Sequence, residues 1–141
     1  MTIRYIAPIA DSSGYANAAR NNIAAMVKAG IKLTIEPISF EKRYADHGKL
    51  SKLINNHIHC QSKWDINLIH ATPENWPRLR DPKTYNIGYT VWETDKLPSD
   101  WVKLINSSVN EVWVPTQWNK EVFIASGITK PIKVIPHTLD I

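Results

Sequence analysis

Six short runs rich in Ile and Val, most of them separated by segments with helical spacing, constrain this chain more than any other feature. Residues 3–9 (IRYIAPI), 31–38 (IKLTIEPI), 66–69 (INLI), 85–91 (YNIGYTV), 111–114 (EVWV) and 132–135 (IKVI) read as strands. From Tyr15 onward, Ala19, Ile23, Met26, Val27 and Gly30 recur at steps of three and four, a helical stripe with Gly30 as its cap. Leu50, Leu53, Ile54, His57 and Ile58 share a second helical face. Ser99 reads as the N-cap of a third helix, with Asp100 in its first turn and Trp101, Leu104 and Ile105 facing inward. Thr116 caps a fourth, lined by Trp118, Val122 and Ala125 and stopped by Gly127. Pro73, Pro77 and Pro82 forbid a long helix between the third and fourth strands. Short apolar strands alternating with helices imply a mainly parallel sheet covered on both faces.

A chain of 141 residues with 43% hydrophobic and 21% charged residues supports one domain with a real core. A lone cysteine, Cys60, excludes an intrachain disulfide and a cysteine-rich zinc site, and suits a reducing compartment. There is no leader-like start and no apolar run near the roughly 20 residues of a membrane helix, so the expectation is a cytoplasmic protein. The net charge of +4 arises in the first half: nine Lys/Arg face five Asp/Glu in residues 1–70, against eight of each in residues 71–141. These basic residues lie singly or in pairs, which argues against a nucleic-acid surface.

In parallel sheets, ligands gather beyond the carboxyl ends of the strands, near the point where strand order reverses. The loop around Ser13, Gly14 and Tyr15 brings backbone N–H groups and a helix N-terminus to one place, suited to a phosphate or a sugar hydroxyl, with Arg20 one turn further on. It lacks the G-x-G-x-x-G spacing of a dinucleotide fingerprint and the Gly-Lys-Ser/Thr of a Walker loop; Glu36 alone does not make an NAD site. His70 follows the third strand and can act as a base or as a hydrogen-bond donor. Glu93 follows the fourth, fenced by Trp92, and can bind sugar hydroxyls or act as a base; the alternative is a surface pair with Lys96. Thr116 follows the fifth. Trp64, Trp101, Trp113 and Trp118 fit core positions, and His57 and His59 point to different faces of a helix, so no metal site is expected.

The runs GYTVWETDKLPSDW (88–101), NEVWVPTQW (110–118), SGI (126–128) and VIPHTLD (134–140) together resemble the N-terminal half of retaining glycosyltransferases of the GT-B fold, the glycosyltransferase family 4 group. The stretch from Gly14 to Arg20 resembles the glycine-led loop and helix of the same domain. The resemblance spans nearly the whole chain and is weakest in residues 39–63. It implies a Rossmann-like three-layer α/β sandwich, residues 1–135 forming an acceptor-side domain and residues 136–141 opening a linker to a donor-binding domain. Carried over, Gly14 lies near the donor phosphates, and His70 and Glu93 line the acceptor side as candidate catalytic residues, with Ser13, Tyr15, Arg20, Trp92 and Thr116 as substrate contacts. Thr138 stands where the family usually has glycine.

The family's donor-gripping glutamates and basic residues belong to the second domain. This half alone is therefore expected to bind no cofactor and to lack transferase activity, since the leaving diphosphate would have no cations to stabilise it. The expected partners are that donor domain, a nucleotide sugar held by it, and a sugar or glycolipid acceptor. Lys49 and Lys52 beside the apolar stripe of the second helix suggest peripheral membrane contact. A free-standing sugar, nucleotide or protein binding module without catalysis stays open as the alternative. A small oxidoreductase or methyltransferase is disfavoured by the missing paired glycines.

Overall fold

Strands and helices follow one another as β1 (Thr2–Ala7), α1 (Gly14–Lys28), β2 (Lys32–Pro37), α2 (Lys49–His57), β3 (Ile66–His70), a 3-10 turn (Pro73–Asn75), α3 (Trp76–Leu79), β4 (Tyr85–Tyr89), α4 (Ser99–Ser108), β5 (Glu111–Val114), α5 (Gln117–Ser126) and β6 (Ile132–Val134). The structure is a computed structural model and describes residues 1–9, 14–38 and 49–137. All six strands pair in parallel, in the order β2-β1-β3-β4-β5-β6. The chain steps from β1 outward to β2 and then returns to β3 on the other side of β1, so order reverses between β1 and β3.

Side chains alternate across each strand, and the register lines them up into two layers. Tyr5 sits beside Leu68, and Leu68 beside Ile87, under α1 and α2, where Ala19, Ile23 and Ile54 complete the packing. On the opposite face Ile6, Ile69 and Val112 pack against Trp76 of α3, Trp101 and Ile105 of α4 and Phe123 of α5. The result is a Rossmann-like three-layer sandwich. The apolar stripe of α2 is consumed by this packing: Ile54 is fully buried, and Leu50, Leu53 and Ile58 pack on the same layer. No helix among the described residues is long and apolar enough to cross a membrane.

The caps follow local chemistry. Gly30 and Gly127 take left-handed backbone (φ +82° and +109°) after α1 and α5, where a side chain would be strained. Thr116 accepts the Asn119 N–H at 3.1 Å, capping α5 as its sequence suggests. Ser99, in contrast, is not the N-cap of α4: Pro98 is, and its carbonyl accepts the N–H groups of Trp101 and Val102. The inner face of α5 also differs from expectation. Trp118 and Ala125 are exposed, while Asn119, Val122 and Phe123 point inward, because Asn119 is needed beneath the β4 loop to bind the Trp92 N–H. His59 lies beyond α2 and pairs with Glu36, which occupies that carboxylate.

Between β3 and β4 the prolines leave room only for the 3-10 turn and the single turn of α3. That turn inserts Trp76, wholly buried, flat onto β4 at Gly88, where an added Cβ would overlap the indole ring. Gly88 therefore marks a close approach, by a side chain.

Candidate functional site

Two adjoining cavities open at the carboxyl edge of the sheet. One, of about 290 Å³, is lined by Gly14, Tyr15, His70, Thr90, Val91, Glu93 and His137. The other, of about 370 Å³, is lined by Tyr15, Thr72, Val91, Trp92, Glu93, Thr94 and Trp101. They share Tyr15, Val91 and Glu93 and sit beside the β1/β3 reversal, where doubly wound sheets bind ligands.

His70 is the last residue of β3 and is 1% exposed. Its ring stacks on Tyr89, the paired residue of β4, at 4.4 Å between centroids, and meets Tyr15 edge-on at 5.5 Å and His137 at 5.7 Å. Behind it, Asn22 Nδ2 donates to the Tyr5 oxygen at 3.3 Å, and Tyr5 Oη lies 2.7 Å from His70 Nδ1. Nδ1 is the acceptor that the Tyr5 O–H finds among the described residues, so Tyr5 donates to Nδ1 and the ring hydrogen is assigned to Nε2. Nε2 has no hydrogen-bond partner among the described residues. Burial, aided by the neighbouring His137, lowers the His70 pKa to about 3, so the ring is neutral at physiological pH. Burial also raises Tyr5 well above the ordinary tyrosine value and pushes Tyr89 up to about 12. Tyr89 Oη donates to the Ile135 carbonyl, tying the segment that carries His137 to the wall of the smaller cavity.

Glu93 is exposed and lines both cavities; among the described residues no salt bridge joins it to Lys96. Trp92 is fixed from three sides: its backbone N–H donates to Asn119 Oδ1 at 2.9 Å, and its indole Nε1 to Thr94 Oγ1 at 2.7 Å and to the Lys96 carbonyl at 2.8 Å. Its ring meets Trp101 at 4.7 Å and 60°. Tyr15 Oη lies 2.8 Å from Thr90 Oγ1, and burial raises its pKa.

The structure thus brings together Gly14, Tyr15, His70, Trp92 and Glu93. It places two other expected contacts elsewhere. Arg20 is buried, with Nη1 donating to the Ile9 carbonyl at 2.8 Å and Nη2 to Asn17 Oδ1 at 2.7 Å, and so braces the segment that follows β1. Thr116 caps α5 and lines neither cavity. Ser13 lies outside the described residues.

Sequence reasoning passed over Tyr5, Asn22, Tyr89 and Thr90, and reached Thr72 and Glu74 only as members of the loop that follows His70. A usable signal was present for the tyrosines: Tyr5 and Tyr89 stand at inward positions near the ends of central strands, where a buried hydroxyl demands a partner. Trp101 fits the core as expected, 8% exposed, yet also forms part of a cavity wall.

Fold and cavities together define a Rossmann-like α/β domain with two adjoining cavities at its strand-order reversal. Compared with models of protein families and with curated proteins, the sequence matches none.

Proposed function

We propose that the chain is the acceptor-side half of a nucleotide-sugar-dependent retaining glycosyltransferase, in which this edge holds a saccharide and a separate donor-binding domain presents the nucleotide sugar. The observation that carries this reading is the make-up of the two cavities. Their linings offer imidazoles, hydroxyls, aromatic rings and a carboxylate, and among the described residues neither contains a lysine or arginine. A nucleoside diphosphate needs cations to offset its charge, whereas a neutral polyol needs short-range donors and acceptors beside apolar surface.

Within this reading the roles divide by chemistry. His70, neutral and hydrogenated on Nε2, donates a hydrogen bond to an acceptor oxygen; with a pKa of about 3 it does not serve as a base near neutral pH. Glu93 accepts from a sugar hydroxyl and is the group able to take its proton. Gly14, at the start of α1, lets an oxygen approach the helix N-terminus; among the described residues no atom lies within 4 Å of where a Cβ would stand. The indole and phenol rings cover the sugar's C–H faces.

Calorimetry on the purified chain tests the proposal. Neutral mono- and disaccharides are expected to bind, nucleotide sugars to bind only weakly, and a transfer assay with residues 1–141 alone to show no steady turnover. Tight binding of a nucleotide sugar without saccharide binding, or steady turnover by this chain alone, overturns the assignment.

A further inference from the structure

The larger cavity has a character of its own. Three aromatic residues line it, Tyr15, Trp92 and Trp101, and their polar ends are already engaged by the protein. Trp92 Nε1 is on Thr94 and Lys96, Trp101 Nε1 donates to Glu74 Oε1 at 2.8 Å, and Tyr15 Oη is held by Thr90 Oγ1 and the Val91 backbone N–H. What the three rings offer a ligand is carbon and π surface, with no spare donor for a hydroxyl.

Two carboxylates flank that surface. Glu93 is in the wall, and Glu74 is anchored on two lining residues, Trp101 and Thr72. Burial alone would raise Glu74, but hydrogen bonds from Thr72, the Trp101 indole and a backbone N–H bring it below the usual carboxylate range, so it stays ionised. Both carboxylates lie near enough to act electrostatically on Tyr15. Among the described residues the lining supplies no lysine or arginine to neutralise them. The negative faces of the aromatic rings and the two exposed carboxylates together give this cavity a potential that favours a cation.

We propose that this cavity is a subsite for a protonated amine carried by the acceptor saccharide: the aromatic walls cover the ammonium and the adjoining sugar ring, and Glu93 pairs with the charge. This rests on the acceptor reading above and narrows its substrate class to amino sugars with a free amine. An N-acetylated amine has no charge to offer, and a plain hydroxyl finds no donor on the rings.

The test is calorimetry on the full chain with glucosamine, N-acetylglucosamine and glucose at a mildly acidic pH that keeps the free amine protonated, repeated on Glu93→Gln and paired with NMR of the tryptophan indole signals. Glu93 is exposed, so the variant is expected to keep the fold. Glucosamine is expected to bind at least about tenfold tighter than either neutral sugar and to shift the Trp92 and Trp101 signals, the preference collapsing toward onefold in Glu93→Gln and weakening with added salt. If neutral sugars shift the same indoles and bind as tightly as glucosamine, or if Glu93→Gln keeps the preference, the amine subsite is wrong and the acceptor reading survives. If no saccharide shifts the indoles, while saccharides bind at the His70 cavity, the subsite again falls alone. If no saccharide binds at either cavity, the acceptor reading falls with it.

Discussion

The two faces of the sheet use the same strands for opposite ends. On the face under α3, α4 and α5, β4 contributes Gly88, whose lack of a side chain admits the buried Trp76 ring; the layer is aliphatic and aromatic. One residue further on, the same strand turns Tyr89 to the face under α1, where Tyr5, Asn22, His70 and Tyr89 form a buried polar cluster at the carboxyl edge. Close packing on one side holds β3 and β4 rigidly enough that hydrogen bonds of fixed length are sustained on the other. The Trp76 packing and the His70 cluster are thereby set on opposite faces of one sheet.

The comparison breaks if damage to one face is felt in the chemistry of the other. The largest effect is expected from Trp76→Ala, which empties the tryptophan's volume from a closed layer and should cost about 3–5 kcal/mol in urea unfolding. At temperatures where the variant is folded, the His70 ring should still carry its hydrogen on Nε2, read from imidazole nitrogen shifts; a changed tautomer would show that the faces are coupled. Gly88→Ala, which forces a Cβ into the same indole, should cost about 2–3 kcal/mol with the same silence at His70.

Disturbing the polar face reverses the pattern. Tyr5→Phe keeps the ring and removes the hydroxyl, leaving Asn22 Nδ2 and His70 Nδ1 without it at a cost of about 2 kcal/mol. The ring hydrogen of His70 should redistribute between its nitrogens, and saccharide binding should weaken even where the protein is fully folded. The pH dependence has a definite sign. The folded His70 pKa, about 3, lies below its ordinary 6.5, so the unfolded chain binds the extra proton first. The stability due to the neutral buried ring is complete above pH 6.5 and is lost as pH falls toward 3. Unfolding curves across that range should show a flatter slope for His70→Gln than for the parent chain. Thr116→Ala gives the smallest change, about 1 kcal/mol from a lost cap, with saccharide binding untouched. Weakened binding there would return Thr116 to the site.

Much of the fold was legible because its signals are periodic and local. Runs of Ile and Val, Gly30 and Gly127 past the helix ends, and Thr116 before α5 each carry their structural meaning within a few residues. Pro98 and α5 show where local reading ends. Proline, with its extended ψ, takes the cap that local residue preference assigns to Ser99, and the orientation of α5 is set by a distant demand, the Trp92 N–H seeking Asn119. The site divides in the same way. Gly14, His70 and Glu93 were visible because they stand at the carboxyl ends of strands or in the loops beyond them, whereas Arg20 turns to the Ile9 carbonyl. The hydrogen on His70 is set by Asn22 and Tyr5, which are 17 residues apart in sequence, with Tyr5 a further 65 from His70. No spacing rule connects residues that only the sheet brings together.

The central claim is that the carboxyl edge of the sheet binds saccharide, and residue-resolved NMR titration tests it most directly. With uniformly labelled protein and a saccharide acceptor, the signals of Gly14, Tyr15, Val91, Trp92 and Glu93 should move together along one binding curve. Those of Lys32, Lys63 and Lys83, which line a groove at the opposite edge, should stay still. Shifts confined to the lysine groove, or none at all at saturating saccharide, would contradict the claim.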